Sequence, residues 1–164
     1  MPQLSLHTPI MDITITEFDE KIVSLDWGWS PFQEPTPFLR EAKKQLDAYF
    51  DGDLLQNFDL PLDLDGSDHQ KKVWHAMLDI PFGETLTYGE IAKKIGSAAQ
   101  PVGTACGTNP IPIIVPCHRV LASGNKMGGF SGEGGVHTKR ALLILEGAME
   151  YTADIQQEQL SLLD

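Results

Sequence analysis

TYGEIAKKIGSAAQPVGTACGTNPIPIIVPCHRV, residues 87–120, is the stretch on which the reading of the fold turns. Thr87 followed three residues later by Glu90 is a capping box, in which hydroxyl and carboxylate each satisfy a backbone N–H left open at a helix start. Ile91, Ala92 and Ile95 keep helical spacing until Gly96 stops the helix. Ser97 to Gln100 reads as a turn, Pro101 suits a first helical turn, and Val102 to Thr108 reads as a second short helix. Two short helices across a tight turn outline a helix-turn-helix. The second helix carries little bulk at Gly103, Thr104, Ala105, Cys106 and Gly107, which suits close approach either to a DNA groove or to a neighbouring helix. The proline-punctuated run from Asn109 to Val120 reads as extended and buried, with Cys117 near its end.

Working outward, Ser67 and Gln70 form another capping box, opening a helix that carries Val73, Trp74, Met77 and Leu78 and stops at Pro81-Phe82-Gly83. Residues 123–135 form a glycine-rich loop. Val136 to Leu145 reads as a helix with Ala141, Leu142 and Leu145 inward and Glu146-Gly147 at its end. Upstream, Met11 to Phe18 alternates as a half-buried strand, and Lys21 to Trp29 as a second, joined in a hairpin. Thr36 caps a helix with Pro37 in its first turn and Phe38, Leu39, Ala42, Leu46, Tyr49 and Phe50 at helical spacing until Gly52. Residues 51–66 read as a further strand plus linker. The expected organisation is an α/β chain: a strand-rich N-terminal α/β domain with linker (1–66), a helical domain (67–148) and an acidic tail (149–164), read as a frayed helix.

The chain has 164 residues, with 12 Lys and Arg against 23 Asp and Glu, a formal charge of −11. Taken whole, that balance argues against a general binder of nucleic acid or anionic membrane. The charge is uneven, however. Residues 1–68 sum to −10 and 149–164 to −4, whereas 69–148 sum to +3. Such asymmetry fits either two differently solvated surfaces or one segment that meets an anionic partner. Two cysteines and five scattered histidines give no disulfide framework and no metal-site spacing. Neither a signal peptide nor an apolar run of membrane-spanning length is evident, so a reducing cytoplasm is the expected compartment.

Cysteine is a strong nucleophile once deprotonated, and Cys117 has a base, His118, and a fixed cation, Arg119, as chain neighbours. On an extended segment adjacent side chains diverge, so a bent backbone or a bridging water is needed for His118 to serve Cys117. Glu146 is an acid that could orient the imidazole as a third member. Adjacency alone is a weak signal, and a buried structural cysteine is the commoner reading.

The run NPIPIIVPCHRV (109–120), with YGEIA from Tyr88, PVGTA from Pro101, GGFSG around Ser131 and LEG at 145–147, resembles the O6-alkylguanine-DNA alkyltransferases, also called methylated-DNA–protein-cysteine methyltransferases. The resemblance covers residues 67–148, and the N-terminal part looks like that family's small ribonuclease H-like domain. It implies a winged helix-turn-helix-like motif that binds double-stranded DNA, flips out an alkylated guanine and transfers the alkyl group once and irreversibly to Cys117. Neither cofactor nor metal is implied, nor any membrane, and the expected state is a monomer. By the same resemblance His118 is the water-mediated base, Glu146 holds it, and Asn109 braces the turn before the cysteine. Tyr88 crowds the flipped nucleotide and assists the leaving guanine. The Ser131 N–H meets O6, the carbonyls of Cys117 and Val120 accept from the exocyclic amine, and Lys139 lies near the site. Gly103 and Ala105 fall in the recognition helix, and Arg119 is a structural bridge.

One position departs from the pattern. Where the family places an arginine that enters the stack behind the flipped base, this chain has Gln100, which brings no charge and less stacking surface. The alternative function is therefore a weakly active or non-catalytic protein that recognises the alkylated base. A Cys–His hydrolase or thiol-redox protein would leave the helix-turn-helix without a purpose. A transcriptional regulator would need base-reading side chains that the second helix lacks.

Overall fold

The structure is a computed structural model that describes residues 1–128 and 134–149. Three strands, β1 (Gln3–Leu6), β2 (Ile13–Phe18) and β3 (Lys21–Trp27), form an antiparallel sheet in that order. Phe18 pairs with Lys21, leaving Asp19 and Glu20 as a two-residue turn with φ of 53° and 56°. Those positive angles match the twist that a tight hairpin needs. β1 escaped the sequence reading because four residues are too few to show a period.

The middle strand is buried on both faces, not half-buried. Ile13 and Ile15 enter the core, while Thr14 and Thr16 are also covered. The polar face is roofed by the returning segment after β3. Ser5 Oγ lies 2.7 Å from Thr14 Oγ1, and Gln33 donates to Ser5 Oγ at 2.7 Å while accepting the Ser5 N–H at 2.8 Å. Short hydroxyl residues suit this face because each covered group finds a partner.

Helix α1 (Pro37–Phe50) begins at Thr36, whose hydroxyl accepts the Leu39 N–H, and packs Leu39, Ala42, Leu46 and Tyr49 inward. The strand expected within 51–66 reduces to one parallel bridge, Leu62 to Ile22. Pro61 contributes only its carbonyl, to the Ile22 N–H at 2.9 Å, and with no N–H of its own it cannot extend a ladder.

In the second half α2 (Asp68–Leu78) and α3 (Tyr88–Ile95) both open with complete capping boxes. α3 ends at Gly96 in the left-handed conformation (φ 72°, ψ 40°), which turns the chain into α4 (Ala99–Gly107). α4 starts earlier than the sequence suggested, because Pro101 occupies a third position whose N–H an α-helix leaves free in any case. Two-residue strands β4 (Leu86–Thr87) and β5 (Val120–Leu121) pair in parallel, and α5 (Val136–Leu145) closes the fold. Leu142 and Leu143 are its fully buried apolar residues; Ala141 and Leu145, expected inward, are only partly covered.

Residues 109–116 form a compact buried turn and not the extended segment expected from the sequence. The Asn109 side chain donates to Val115 O at 2.8 Å and accepts the Ile111 N–H at 3.0 Å. Ile113 adopts φ 73° inside it. Pro110, Pro112 and Pro116 offer no N–H groups for a sheet, so the asparagine amide closes the backbone on itself. Among the described residues no helix is long and apolar enough to cross a membrane.

Candidate active site and DNA-facing surface

Cys117 ends the buried turn. Its N–H returns to Val115 O at 2.8 Å, and Cys117–Arg119 form one turn of 3-10 helix leading into β5. The backbone is therefore bent at Cys117 and not extended as expected. Cys117 is 7% exposed, and His118 and Arg119 are essentially inaccessible.

His118 Nε2 lies 2.7 Å from Glu146 Oε2 at the end of α5. An ionised carboxylate accepts only, so Nε2 carries the proton and Nδ1 has its lone pair free. Nδ1 is buried with no hydrogen-bond partner among the described residues. Burial lowers the His118 pKa below its usual 6.5, against the pull of Glu146, and so favours the neutral imidazole. Burial also disfavours ionisation of Glu146, but its hydrogen bonds and charge contacts with His118 and Arg119 outweigh that and hold it down at about 2. Arg119 donates to both carboxylate oxygens, at 2.8 and 3.0 Å, and spans to Asn57 Oδ1 at 2.6 Å and Ile80 O at 2.7 Å. It thereby ties α5 to the segment that precedes α2.

Burial pushes the Cys117 thiol pKa up, while the Asn109 hydrogen bond and the Lys139 charge pull it down. Lys139 is itself buried; its ammonium donates to Val120 O at 2.6 Å and sits 5.6 Å from the centre of the Tyr88 ring. The second thiol, Cys106, contacts Met77 Sδ at 3.6 Å and is pushed up to about 12, chiefly by burial. It packs against α2, and burial disfavours its thiolate.

Tyr88, at the start of α3, walls a surface cleft of about 570 Å³ that is also lined by Gly89, Gln100, Ala122, Ser123 and Gly124. Gln100 is exposed at its rim. Gly103 has open space around the position of a Cβ. Ala105 is different: its side chain is 2% exposed and its carbonyl accepts the Trp74 indole N–H at 2.9 Å, so it packs α4 on α2 and does not face a groove. Val120 is likewise buried, and Lys139 already holds its carbonyl. Ser131 and the acidic tail from residue 150 lie outside the described residues.

The structure adds two partners that sequence reasoning missed, Asn57 and Tyr49. The Tyr49 hydroxyl donates to Glu146 Oε2 at 2.6 Å across 97 positions of sequence. In the sequence Tyr49 is only another apolar position of an amphipathic helix, and no local signal marks it. Among the described residues no cluster of His, Cys, Asp or Glu could hold a metal ion.

Residues 68–148 match the DNA-binding domain of 6-O-methylguanine DNA methyltransferase, and residues 4–64 match its ribonuclease-like domain. This chain belongs to that family. A methylated-DNA–protein-cysteine methyltransferase of Mycobacterium tuberculosis is 53% identical over 120 residues, which cover 72% of this chain and 69% of the relative. One from Methanosarcina acetivorans is 50% identical over 131 residues, 79% of this chain and 80% of the relative. Among solved structures, Mycobacterium tuberculosis O6-methylguanine methyltransferase aligns over 99% of both chains at 40% identity with a TM-score of 0.79. A complex of the Mycobacterium tuberculosis protein with DNA aligns over the whole of both chains at 41% identity with a TM-score of 0.81.

Proposed function

We propose that this chain repairs alkylated DNA by direct reversal, moving a methyl group from O6 of a flipped-out guanine in duplex DNA to Cys117, once per molecule. The observation that carries this reading is the buried Cys117–His118–Glu146 arrangement with one imidazole nitrogen committed to the carboxylate and the other free. His118 Nδ1 accepts the thiol proton through a bridging water as sulfur attacks the methyl carbon. The C–O6 bond breaks, its electron pair goes to guanine, and the proton that His118 took from the thiol is passed back to guanine, giving the unmodified base and a neutral imidazole. A thioether and an intact guanine result, and no cofactor enters the balance.

Extrusion of the base is required because in-line attack on the methyl carbon cannot occur inside the stack. Tyr88 is placed where cleft and thiol neighbourhood meet, and its phenol is pushed up to about 12, chiefly by burial, so it stays a proton donor. Asn109 shapes the turn that presents the sulfur, Lys139 adds positive charge beside it, and Arg119 fixes the carboxylate. Gln100 enters the space behind the base. A non-transferring recognition protein is not favoured, since the nucleophile and its partners are present.

The test is peptide mass after incubation with duplex DNA that holds one O6-methylguanine. The expected result is a gain of one methylene on the Cys117 peptide, saturating at one per protein, with Cys117→Ala still binding the DNA but gaining nothing. Methyl transfer by the alanine variant would show that the nucleophile is another residue.

A further inference from the structure

We propose that Tyr49, from the N-terminal half, is a positioning residue for the transfer: its hydroxyl shares the Glu146 carboxylate with His118 and thereby sets how readily His118 takes up a proton. The inference rests on the reading of His118 as the base.

Oε2 of Glu146 accepts from Tyr49 at 2.6 Å, from His118 at 2.7 Å and from Arg119 at 3.0 Å. Three donors on one oxygen divide its electron density. The phenol therefore weakens what the carboxylate can offer an imidazolium, so His118 remains a neutral acceptor. Tyr49 is held for this purpose by rings on three sides, Phe50 at 5.1 Å, Phe58 at 5.2 Å and Phe82 at 6.2 Å between centroids. It is 1% exposed, and burial beside Glu146 raises its pKa well above 10, so the phenol donates and never ionises in the working range. Among the described residues the charged and titratable groups facing the pair are Arg119, Lys139 and Tyr49, with the Cys117 thiol next in the chain to His118. Of these Tyr49 comes from the N-terminal part of the chain, which meets the carboxylate directly through this hydroxyl and indirectly through Asn57 on Arg119.

Tyr49→Phe keeps the ring and removes the donor. The titration of His118, followed through its ring nitrogens by 15N NMR on the full chain, should move to higher pH. The acid limb of single-turnover methyl transfer should move with it, and a shift of about one pH unit leaves the rate at the wild-type midpoint about fivefold lower. Replacing Tyr49 by 3-fluorotyrosine, a stronger donor of the same shape, should move both curves to lower pH and covers the case in which the phenylalanine variant folds poorly. Phe58→Leu, a packing change on the same ring cluster, should lower stability and leave both midpoints in place. Unmoved His118 titrations in the two Tyr49 variants would overturn the proposal. Moved titrations with an unmoved transfer limb would uphold the link from Tyr49 to His118 and overturn His118 as the base.

Discussion

Glu146→Gln changes one atom and should remove a large share of the stability of this fold. The carboxylate is 5% exposed and accepts four hydrogen bonds, two from Arg119 and one each from His118 and Tyr49. An amide in its place must turn its NH2 group towards either Arg119 Nε or the three donors on the other oxygen, so at least one donor faces another. It also leaves the Arg119 guanidinium, 1% exposed, without its counter-charge. Removing one partner of such a buried pair costs about 3–5 kcal/mol. A second line gives the same scale. The Glu146 pKa falls from 4.5 to about 2 on folding, which corresponds to about 3 kcal/mol at neutral pH. The group binds its proton less readily in the folded state, so this stability is complete above about pH 4.5 and disappears as pH falls towards 2. Urea unfolding of wild type and variant should therefore differ by about 3–5 kcal/mol at pH 7, with the gap closing in acid. A difference below about 1 kcal/mol at pH 7 would mean that this buried ion pair behaves like a solvated one.

Gln100→Arg adds a cation at the exposed rim of the cleft. It should tighten duplex binding and steepen the dependence of log K on log salt by about one; an unchanged slope in a fluorescence-anisotropy titration would show that residue 100 does not meet the DNA. Gly66→Ala would place a methyl 2.6 Å from Trp74 Cη2 and 2.8 Å from Gln70 Oε1, displacing both the buried indole and the cap of α2. A loss of about 1–3 kcal/mol is expected in thermal or urea unfolding, and no loss would mean that Trp74 has room to move.

Helices and caps were legible because their causes are local. Ser67 with Gln70 and Thr87 with Glu90 announce their own turns, and Gly96 announces the break between α3 and α4. The turn at 109–116 was not, because its β-branched run looks like a strand and its conformation depends on one asparagine side chain satisfying a backbone five residues wide. Ala105 misled for a related reason: a small residue permits close approach, and only packing reveals that the close neighbour is Trp74. The residues proposed for the chemistry were readable within 109–120 and at Glu146 through resemblance, and the structure joins His118 to Glu146. Tyr49 and Asn57 were invisible, since hydrogen bonds across 97 and 62 positions leave no periodic trace.

Ile113 lies in the left-handed backbone region. A β-branched side chain at φ 73° is strained by about 1–3 kcal/mol, and it is tolerated here because the residue is locked in the core at 1% exposure. The turn that presents Cys117 therefore exists only while the surrounding core is assembled. A chain still emerging from synthesis, or one partly melted, holds neither Cys117 in this turn nor His118 against Glu146, so the geometry of the site is acquired with the core.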